Sequence, residues 1–349
     1  MLAAADAGYV VDFPTIGFLI SDWIEAHCII PDRDDKGQPF VLYQWQIWCT
    51  VNHYRVRPTA RVGENASAFY YRRSQIVGPQ KCGKGPWGAA ILCVEGVGPA
   101  IFEGWAVTGE KYRCVDNGCP CGWEYTYEAG EARGRPASNP LMQLLATSEA
   151  QVRNVYRPFK VMGRAWPLST MMVVGEEFTR LPDDGCVETV TSSAKSRLGN
   201  PIRFTLQDEN GLYTERNGLL DTAQTMRRGA AAMGGRSIQK SNAWDPGENS
   251  DAQRTANSLR PDIFLFHRIP PAHLNYLDAA ERRQIHEYVY WSCLHVNLDE
   301  IEAEAAELIE TDPAQAERFY GNRLVQGGGA WMPDELWERV YAGAATVAS

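Results

Sequence analysis

The sequence lacks any apolar run long enough to cross a membrane. Its longest, Trp87 to Phe102, is broken by Glu95, Gly96 and Gly98 and falls short of the roughly 20 residues a helical span needs. The N-terminus has no basic stretch, long apolar run or cleavage site, so neither insertion nor export is expected. A basic surplus is missing as well. Against 34 Lys and Arg stand 43 Asp and Glu, a net charge of -9, which disfavours a protein that coats itself with nucleic acid. The even, paired spacing of a disulfide framework is also lacking. Nine cysteines is an odd number, and Cys28, Cys49, Cys82, Cys93, Cys186 and Cys293 stand alone, a pattern that fits buried thiols in a reducing cytoplasm.

What is present is ordinary globular material, 44% hydrophobic and 22% charged over 349 residues, a length that favours two domains. The acidity is local. Eight acids and no Lys or Arg lie between Asp299 and Glu317, and the remainder is close to neutral, free to carry basic surfaces. Ile301, Ala305, Leu308 and Ile309 run through that stretch at helical spacing, so it reads as a solvated amphipathic helix lying away from the motifs described next.

Hydrophobic periodicity predicts helices over 13–28 and 40–53, a strand over 68–77, a Gly-rich loop over 78–85 and a short apolar helix over 87–97. A hairpin-like stretch follows at 112–128, then a strand at 141–147 and a helix from Ser148 to about Met162, with Gln151 placed for a capping box. Strands are expected at 171–178, 187–192, 202–207 and 237–242, with a helix over 218–233 closed by Gly234 and Gly235. Helices at 279–293, 298–309 and 313–320 complete the chain. Alternating strands and helices followed by helices alone imply an α/β core with a helical appendage.

Gly78-Pro79-Gln80-Lys81-Cys82-Gly83-Lys84-Gly85 has the Gly-x4-Gly-Lys spacing of a phosphate-binding loop. Such a loop wraps phosphates in backbone N–H groups, and its lysine reaches the β and γ oxygens. The predicted strand before it and helix after it supply the right context, because a helix N-terminus then faces the phosphates. Gly85 departs from the pattern, since a Ser or Thr there would help hold Mg²⁺. Taken alone the segment is equally readable as a Gly-rich turn. The second element is Phe204-Thr205-Leu206-Gln207-Asp208-Glu209, an apolar strand ending in two carboxylates. In P-loop ATPases the first helps hold the metal and the next polarises the attacking water. By itself it also reads as a solvated acid pair before a turn, but the two motifs in this order reinforce each other.

These residues, with others spread over about 10–335, resemble the ATPase half of the large terminase subunit of tailed bacteriophages, in the form common among phages of actinobacteria. The resemblance is carried by Phe13-Pro14-Thr15-Ile16-Gly17, Leu42-Tyr43-Gln44-Trp45-Gln46, the loop from Gly78 to Pro86, Ala146 to Asn154, Gln207-Asp208-Glu209, Gly234 to Gly247 and Ala316 to Leu324.

The resemblance implies a RecA-like P-loop ATPase of the ASCE type with a mainly parallel sheet. Residues 1–265 would form the core and 266–349 a helical linker subdomain. ATP and Mg²⁺ are the implied cofactors. Gln46, or its neighbour Gln44, would read adenine; Lys84 would contact the β/γ phosphates, Asp208 would hold Mg²⁺ and Glu209 would activate water. Ser241 and Asn242 fall at the coupling motif that relays hydrolysis to movement. Many terminases carry an arginine three residues before the loop's second glycine, where this chain has Gln80 followed by Lys81. Lys81 is thus a candidate for that charge, and Arg72, Arg73, Arg153 or a neighbouring subunit could supply an arginine.

The implied partners are double-stranded DNA gripped through its phosphates, a portal protein, a small terminase subunit and further copies in a ring, in the host cytoplasm and without membrane contact. Basic stretches offered for DNA are Arg55/Arg57/Arg61, Arg153/Arg157/Lys160/Arg164 and Arg227/Arg228/Arg236/Lys240, each also readable as an ordinary solvated face. A complete large terminase continues into an RNase H-like nuclease that would start beyond Trp331-Met332-Pro333, so ATP hydrolysis without DNA cleavage is expected of these residues. The alternatives are a helicase-like ATPase and a nucleotide-binding assembly module with little hydrolysis.

Cys114, Cys119 and Cys121 form a third cluster. Three close thiolates suit zinc, but no fourth ligand is near in sequence and Asn117-Gly118 is a hairpin-turn signal, so an inserted β-hairpin is favoured over a metal site.

Overall fold

The computed structural model describes residues 9–64, 67–176, 178–190, 201–231 and 234–327, and over 149–154 the backbone alone. Two helices open the described part of the chain, α1 (Gly17–His27) and α2 (Gln44–His53). On α1 the apolar positions Leu19, Ile20, Trp23 and Ile24 recur at helical spacing and are fully buried. Strand β1 (Arg73–Val77) leads through the Gly-rich loop into α3 (Lys84–Val97), which is apolar on nearly every side because it is enclosed on nearly every side. Two small antiparallel pairs follow, β2 (Ile101–Trp105) with β5 (Ala132–Arg135), and between them β3 (Lys111–Arg113) with β4 (Glu124–Thr126).

The chain then alternates: β6 (Leu141–Leu145), α4 (Glu149–Gly163), β7 (Val173–Val174), β8 (Phe178–Arg180), β9 (Cys186–Val190), β10 (Phe204–Asp208), α5 (Leu219–Ala231), β11 (Arg236–Ser241), α6 (Asp251–Asn257) and β12 (Ile263–His267). The main sheet has the order β12-β1-β11-β10-β6-β9-β8-β7. From β12 through β9 every neighbour is parallel, and the last two strands turn back antiparallel. Alternate residues of one strand serve opposite layers. Leu144 joins the core shared with α1 to α4, whereas Leu145 joins Tyr213, Leu219, Ala223 and Met226 beside α5 on the other face. Helices thus cover both faces, as a parallel sheet requires.

Helices α7 (Ala279–Val289), α8 (Leu298–Thr311) and α9 (Pro313–Tyr320) complete the described chain. On α8 only Ile301 and Ala305 are buried, and the amphipathic reading of its acids holds. A separate small core of Tyr276, Ile285 and Ala316 lies here. The expected division at 265/266 falls inside β12, which pairs with β1 at the edge of the main sheet.

Several elements differ from the periodicity-based expectations. The strand expected over 68–77 is confined to Arg73–Val77, since Ala68 and Phe69 are held by backbone bonds to Arg57 and an isolated bridge to Val56. The strand expected over 171–178 is two short strands reversed at Gly175, whose N–H bonds the Phe178 carbonyl. β2, β5, α6 and β12 were not foreseen. Asn117-Gly118 is no two-residue hairpin turn: it ends a 3-10 turn over Cys114–Asn117 within a longer loop. Of the segments discussed above, 191–192, 232–233, Trp331-Met332-Pro333 and the side chain of Arg153 lie outside the described residues. Among the described residues no helix is long and apolar enough to cross a membrane.

Candidate nucleotide site

Strand register assembles the site. Val77, the last residue of β1, pairs with Ser241, and Asp208, the last of β10, pairs with Lys240. The loop after β1 and the two carboxylates after β10 therefore open at one edge of the sheet, with β11 between them. There they line a cleft of about 790 Å³ whose walls include Gly83, Lys84, Asp208, Glu209, Asn242 and Arg318.

Gly83 sits at φ +100° and caps α3, a conformation that disfavours a side chain. The helix starts at Lys84, three residues before the predicted Trp87. Pro86 occupies its first turn, where no intrahelical donor is lost. Lys84 is buried and folded back on its own loop: Nζ donates to the carbonyls of Gly78 at 2.7 Å and Pro79 at 2.8 Å, and to Asn242 Oδ1 at 3.0 Å. Cys82 Sγ lies 3.8 Å from the same ammonium. Burial pushes the Cys82 thiol up, but the hydrogen bond with Cys293 and the Lys84 charge outweigh it and bring it down to about 6.

Asp208 is buried and ion-paired to Lys240, itself buried. Lys240 fits because Gly88 on α3 leaves room: a Cβ there would stand 3.0 Å from the lysine Cε. Glu209 adopts φ +54°, ψ +44°, which turns its chain away from the strand. Its Oε2 accepts from the Asn242 N–H at 3.2 Å. The residue as a whole is half-exposed but its carboxyl is enclosed. That burial raises its pKa, opposed by the Lys84 charge.

The two residues at the coupling position are tied to both motifs. Asn242 bonds Lys84 through its side chain and Glu209 through its backbone. Ser241 accepts from the Gly78 N–H through its carbonyl at 3.2 Å and from the Gly211 N–H through Oγ at 3.0 Å. A Cβ on Gly211 would come within 2.5 Å of that Oγ, so this approach needs glycine.

Gln46 is fully buried and reaches the loop, with Oε1 accepting from the Tyr43 N–H at 2.8 Å and Nε2 donating to the Gly83 carbonyl at 3.3 Å. It lines the cleft; Gln44 does not. Lys81 has φ +67° and an exposed side chain at the cleft.

The C-terminal helical segment closes on the loop, against the expectation that it lies apart. Gln80 N–H donates to the Phe319 carbonyl at 2.7 Å, and Tyr290 Oη donates to the Gln80 carbonyl at 2.7 Å. His295 Nε2 donates to the Lys81 carbonyl at 2.8 Å, and its ring stacks on Tyr43. Apart from Glu302, which is paired with Arg282 and His286, the acids of α8 still face solvent; the residues flanking that helix make these contacts.

Arg72 and Arg73 lie elsewhere. Arg73 begins β1 and Arg72 precedes it, at the far end of a five-residue strand from the loop; they bond Thr255 and Asp262. Two arginines not foreseen line the cleft. Arg33 is exposed and donates to the His295 carbonyl at 3.2 Å, and Arg318 is buried near Asp245 at 3.6 Å. They lie 285 residues apart in sequence, so no local pattern marks them.

The third basic stretch is largely turned into the fold. Arg236 is buried, paired with Glu95 at 2.9 Å and packed over Phe69 and Tyr54. Arg227 is paired with Asp251 at 2.8 Å, Lys240 with Asp208, and Arg228 alone among the four is exposed. Arg55 lies between the rings of Phe13 and Tyr70, leaving Arg57 and Arg61 exposed. Lys160 and Arg164 share Glu176, and Arg157 is exposed.

No protein-family model matches the chain, and no curated protein matches it. Solved structures do. The large terminase of bacteriophage HK97 overlaps at a TM-score of 0.61 and 17% identity, over 93% of this chain and 58% of that one. The large terminase of the thermophilic bacteriophage D6E gives 0.43 and 12%, over 77% and 51%. The large terminase ATPase domain of Thermus phage P74-26 gives 0.41 and 10%, over 73% and 89%. This chain spans under two thirds of the HK97 protein's length. The expected RecA-like architecture, a mostly parallel eight-stranded sheet flanked by helices, is therefore the one observed, and over 93% of its length this chain shares its fold with the HK97 large terminase.

Proposed function

We propose that the chain is the ATP-hydrolysing motor portion of a phage terminase large subunit, which drives double-stranded DNA into a procapsid. The observation that carries this reading is the meeting of Lys84, Asp208, Glu209 and Asn242 at the ends of three adjacent parallel strands. The fold shared with the HK97 large terminase supports it.

On this reading the loop N–H groups at the start of α3 and the Lys84 ammonium hold the β and γ phosphates. To do so Lys84 exchanges the Gly78 and Pro79 carbonyls for phosphate oxygens. Glu209 accepts the proton of the attacking water; its enclosed, raised pKa brings it nearer neutrality, where a general base works best. Asn242 contacts both Lys84 and Glu209, so a change at either displaces the end of β11, and Ser241 passes the displacement to Gly78. Gln46 faces the adenine side, while Lys81, Arg33 and Arg318 are the cations able to meet transition-state charge.

Magnesium suits the donors present. It takes one or two carboxylates with substrate phosphates and several waters, and Asp208 would offer the carboxylate, with water filling the position that Gly85, lacking a hydroxyl, would leave open. When bound, the ion neutralises charge on the phosphate oxygens. Lys240 lies against Asp208 and shares its charge with that neighbourhood.

DNA would be held without regard to sequence through exposed cations such as Arg57, Arg61 and Arg157. The portal, the small subunit and further copies in a ring are the proposed partners. DNA cleavage is not assigned to these residues.

ATP turnover by the purified chain, abolished in Lys84→Ala and Glu209→Gln, tests the enzymatic half. ATP-dependent protection of DNA from nuclease in the presence of procapsids tests the motor half. Strand unwinding without a procapsid would favour a helicase-like ATPase instead. A second reading, a nucleotide-binding assembly module with little hydrolysis, is favoured by the folded-back Lys84 and the occupied Asp208. Nucleotide binding with no turnover, even with DNA and procapsids present, would select it.

A further inference from the structure

Residues 106–131 form an excursion between β2 and β5, and its β3–β4 hairpin has only three residues in each strand to carry a loop of ten. That loop, from Cys114 to Trp123, nevertheless curls tightly. Cys114 N–H donates to the Trp123 carbonyl and Cys119 N–H to the Cys114 carbonyl, each at 3.0 Å. Gly118 and Gly122, at φ +80° and +77°, supply the left-handed turns that carry Cys119 and Cys121 back toward Cys114.

The fourth member comes from the other end of the fold. His27, the last residue of α1, is buried between Trp23, on which it stacks, and the edge-on ring of Trp123. Its Nδ1–H donates to the Trp23 carbonyl at 2.8 Å, which fixes the tautomer and leaves the Nε2 lone pair free. That lone pair points between Cys114 Sγ at 3.2 Å and Cys121 Sγ at 3.3 Å. With Cys119 Sγ, the four atoms lie within 4.8 Å of one another.

We propose that His27, Cys114, Cys119 and Cys121 bind one zinc ion as a tetrahedral structural site. Three sulfurs and one nitrogen around zinc stand about 3.5–3.8 Å apart, given Zn–S of about 2.3 Å and Zn–N of about 2.0 Å. The His27 Nε2–Sγ distances of 3.2 and 3.3 Å lie just below that range, and no two of the four atoms are more than 4.8 Å apart. The second shell is present as well. The Trp23 carbonyl orients the imidazole, and the Trp123 N–H donates to Cys121 Sγ at 3.4 Å, a bond that favours a thiolate. All four coordination positions would be taken by protein atoms, leaving none for substrate, so the site is structural and not catalytic. It staples the hairpin to α1, which packs beneath the loop-bearing helix α3. Without a metal, three thiols would converge on a single acceptor lone pair.

The experiment uses the whole chain purified under a phosphine reductant without chelators. Elemental analysis is expected to find one zinc per chain. After exchange, Co²⁺ is expected to give the visible d–d bands and near-ultraviolet thiolate charge-transfer band of a tetrahedral sulfur-rich site. Cys119→Ser and His27→Ala are expected to lose the metal and to lower the melting temperature to that of the chelator-treated wild type. His27→Cys is expected to keep the metal and to shift the cobalt bands as the fourth sulfur enters, which separates ligation from a packing role of the imidazole. The proposal is overturned if the folded wild-type chain holds no zinc and takes up none from zinc sulfate. Iron at the site, or a disulfide among the three cysteines in the reduced preparation, overturns it equally.

Discussion

Lys84 Nζ and Asn242 Oδ1 are 3.0 Å apart, joining the loop after β1 to the end of β11 across 158 residues of sequence. Because the Asn242 backbone N–H also holds Glu209, one residue contacts both the phosphate-facing cation and the base of the proposed reaction. Asn242→Ala removes the side-chain bond and leaves the backbone one. Turnover is expected to fall by about 10-fold or more, with nucleotide affinity changed much less. Steady-state kinetics beside equilibrium binding of a fluorescent nucleotide measures the split; equal losses in both would refute a coupling role.

Glu209 must be ionised to accept a proton, and its pKa is raised by burial. The acid limb of kcat is therefore expected above the ordinary carboxylate range, with activity lost as pH falls through the raised value. Glu209→Gln should cost about 10²–10⁴-fold in kcat. A pH–rate profile with its midpoint at or below that of a free glutamate would contradict this assignment.

The Asp208–Lys240 pair is buried on both sides. Removing one partner of such a pair costs about 3–5 kcal/mol because the other charge is left unpaired. Lys240→Met should thus lower stability markedly, and adding Asp208→Asn should restore part of it. Chemical denaturation of the single and double variants gives the coupling directly; additive losses would show that the two charges act independently.

Tyr290 donates to the Gln80 carbonyl and helps clamp the phosphate loop from the C-terminal helices. Tyr290→Phe should cost about 1 kcal/mol and speed amide exchange within 78–83. Unchanged exchange there would mean that this bond does not restrain the loop.

Arg33 is exposed at the cleft, where its loss should move stability by no more than about 0.5 kcal/mol. If it meets transition-state charge, Arg33→Ala will lower kcat while leaving the melting temperature unchanged. Unaltered kcat with Arg318→Ala defective would transfer that role to the buried arginine.

The linear pattern was sufficient for much of this. Gly-x4-Gly-Lys between an apolar strand and an apolar helix, and a strand ending in Asp208-Glu209, are local arrangements whose backbone geometry follows from neighbouring residues. The alternation of strands and helices likewise implied an α/β core, while the parallel sheet was implied by the resemblance alone. The amphipathic spacing on α8 marked its acids as solvated, since a 3.6-residue period needs no distant partner to be read.

Tertiary structure decided what depends on partners far apart in the chain. Arg227, Arg236 and Lys240 look like a basic surface in sequence, yet each meets a carboxylate inside the fold, because a charge can be buried only where an opposite one arrives. The clamp from Tyr290, His295 and Phe319 onto the loop, and the cleft arginines, come from segments with no local signature of contact. So does His27: three cysteines within eight residues were visible at once, while their fourth partner lies 87 residues before Cys114 and reaches it only because α1 ends where the hairpin loop folds over. Short-range stereochemistry is written in neighbouring residues; the meeting of side chains across the sheet and its insertions is set by packing that no single segment contains.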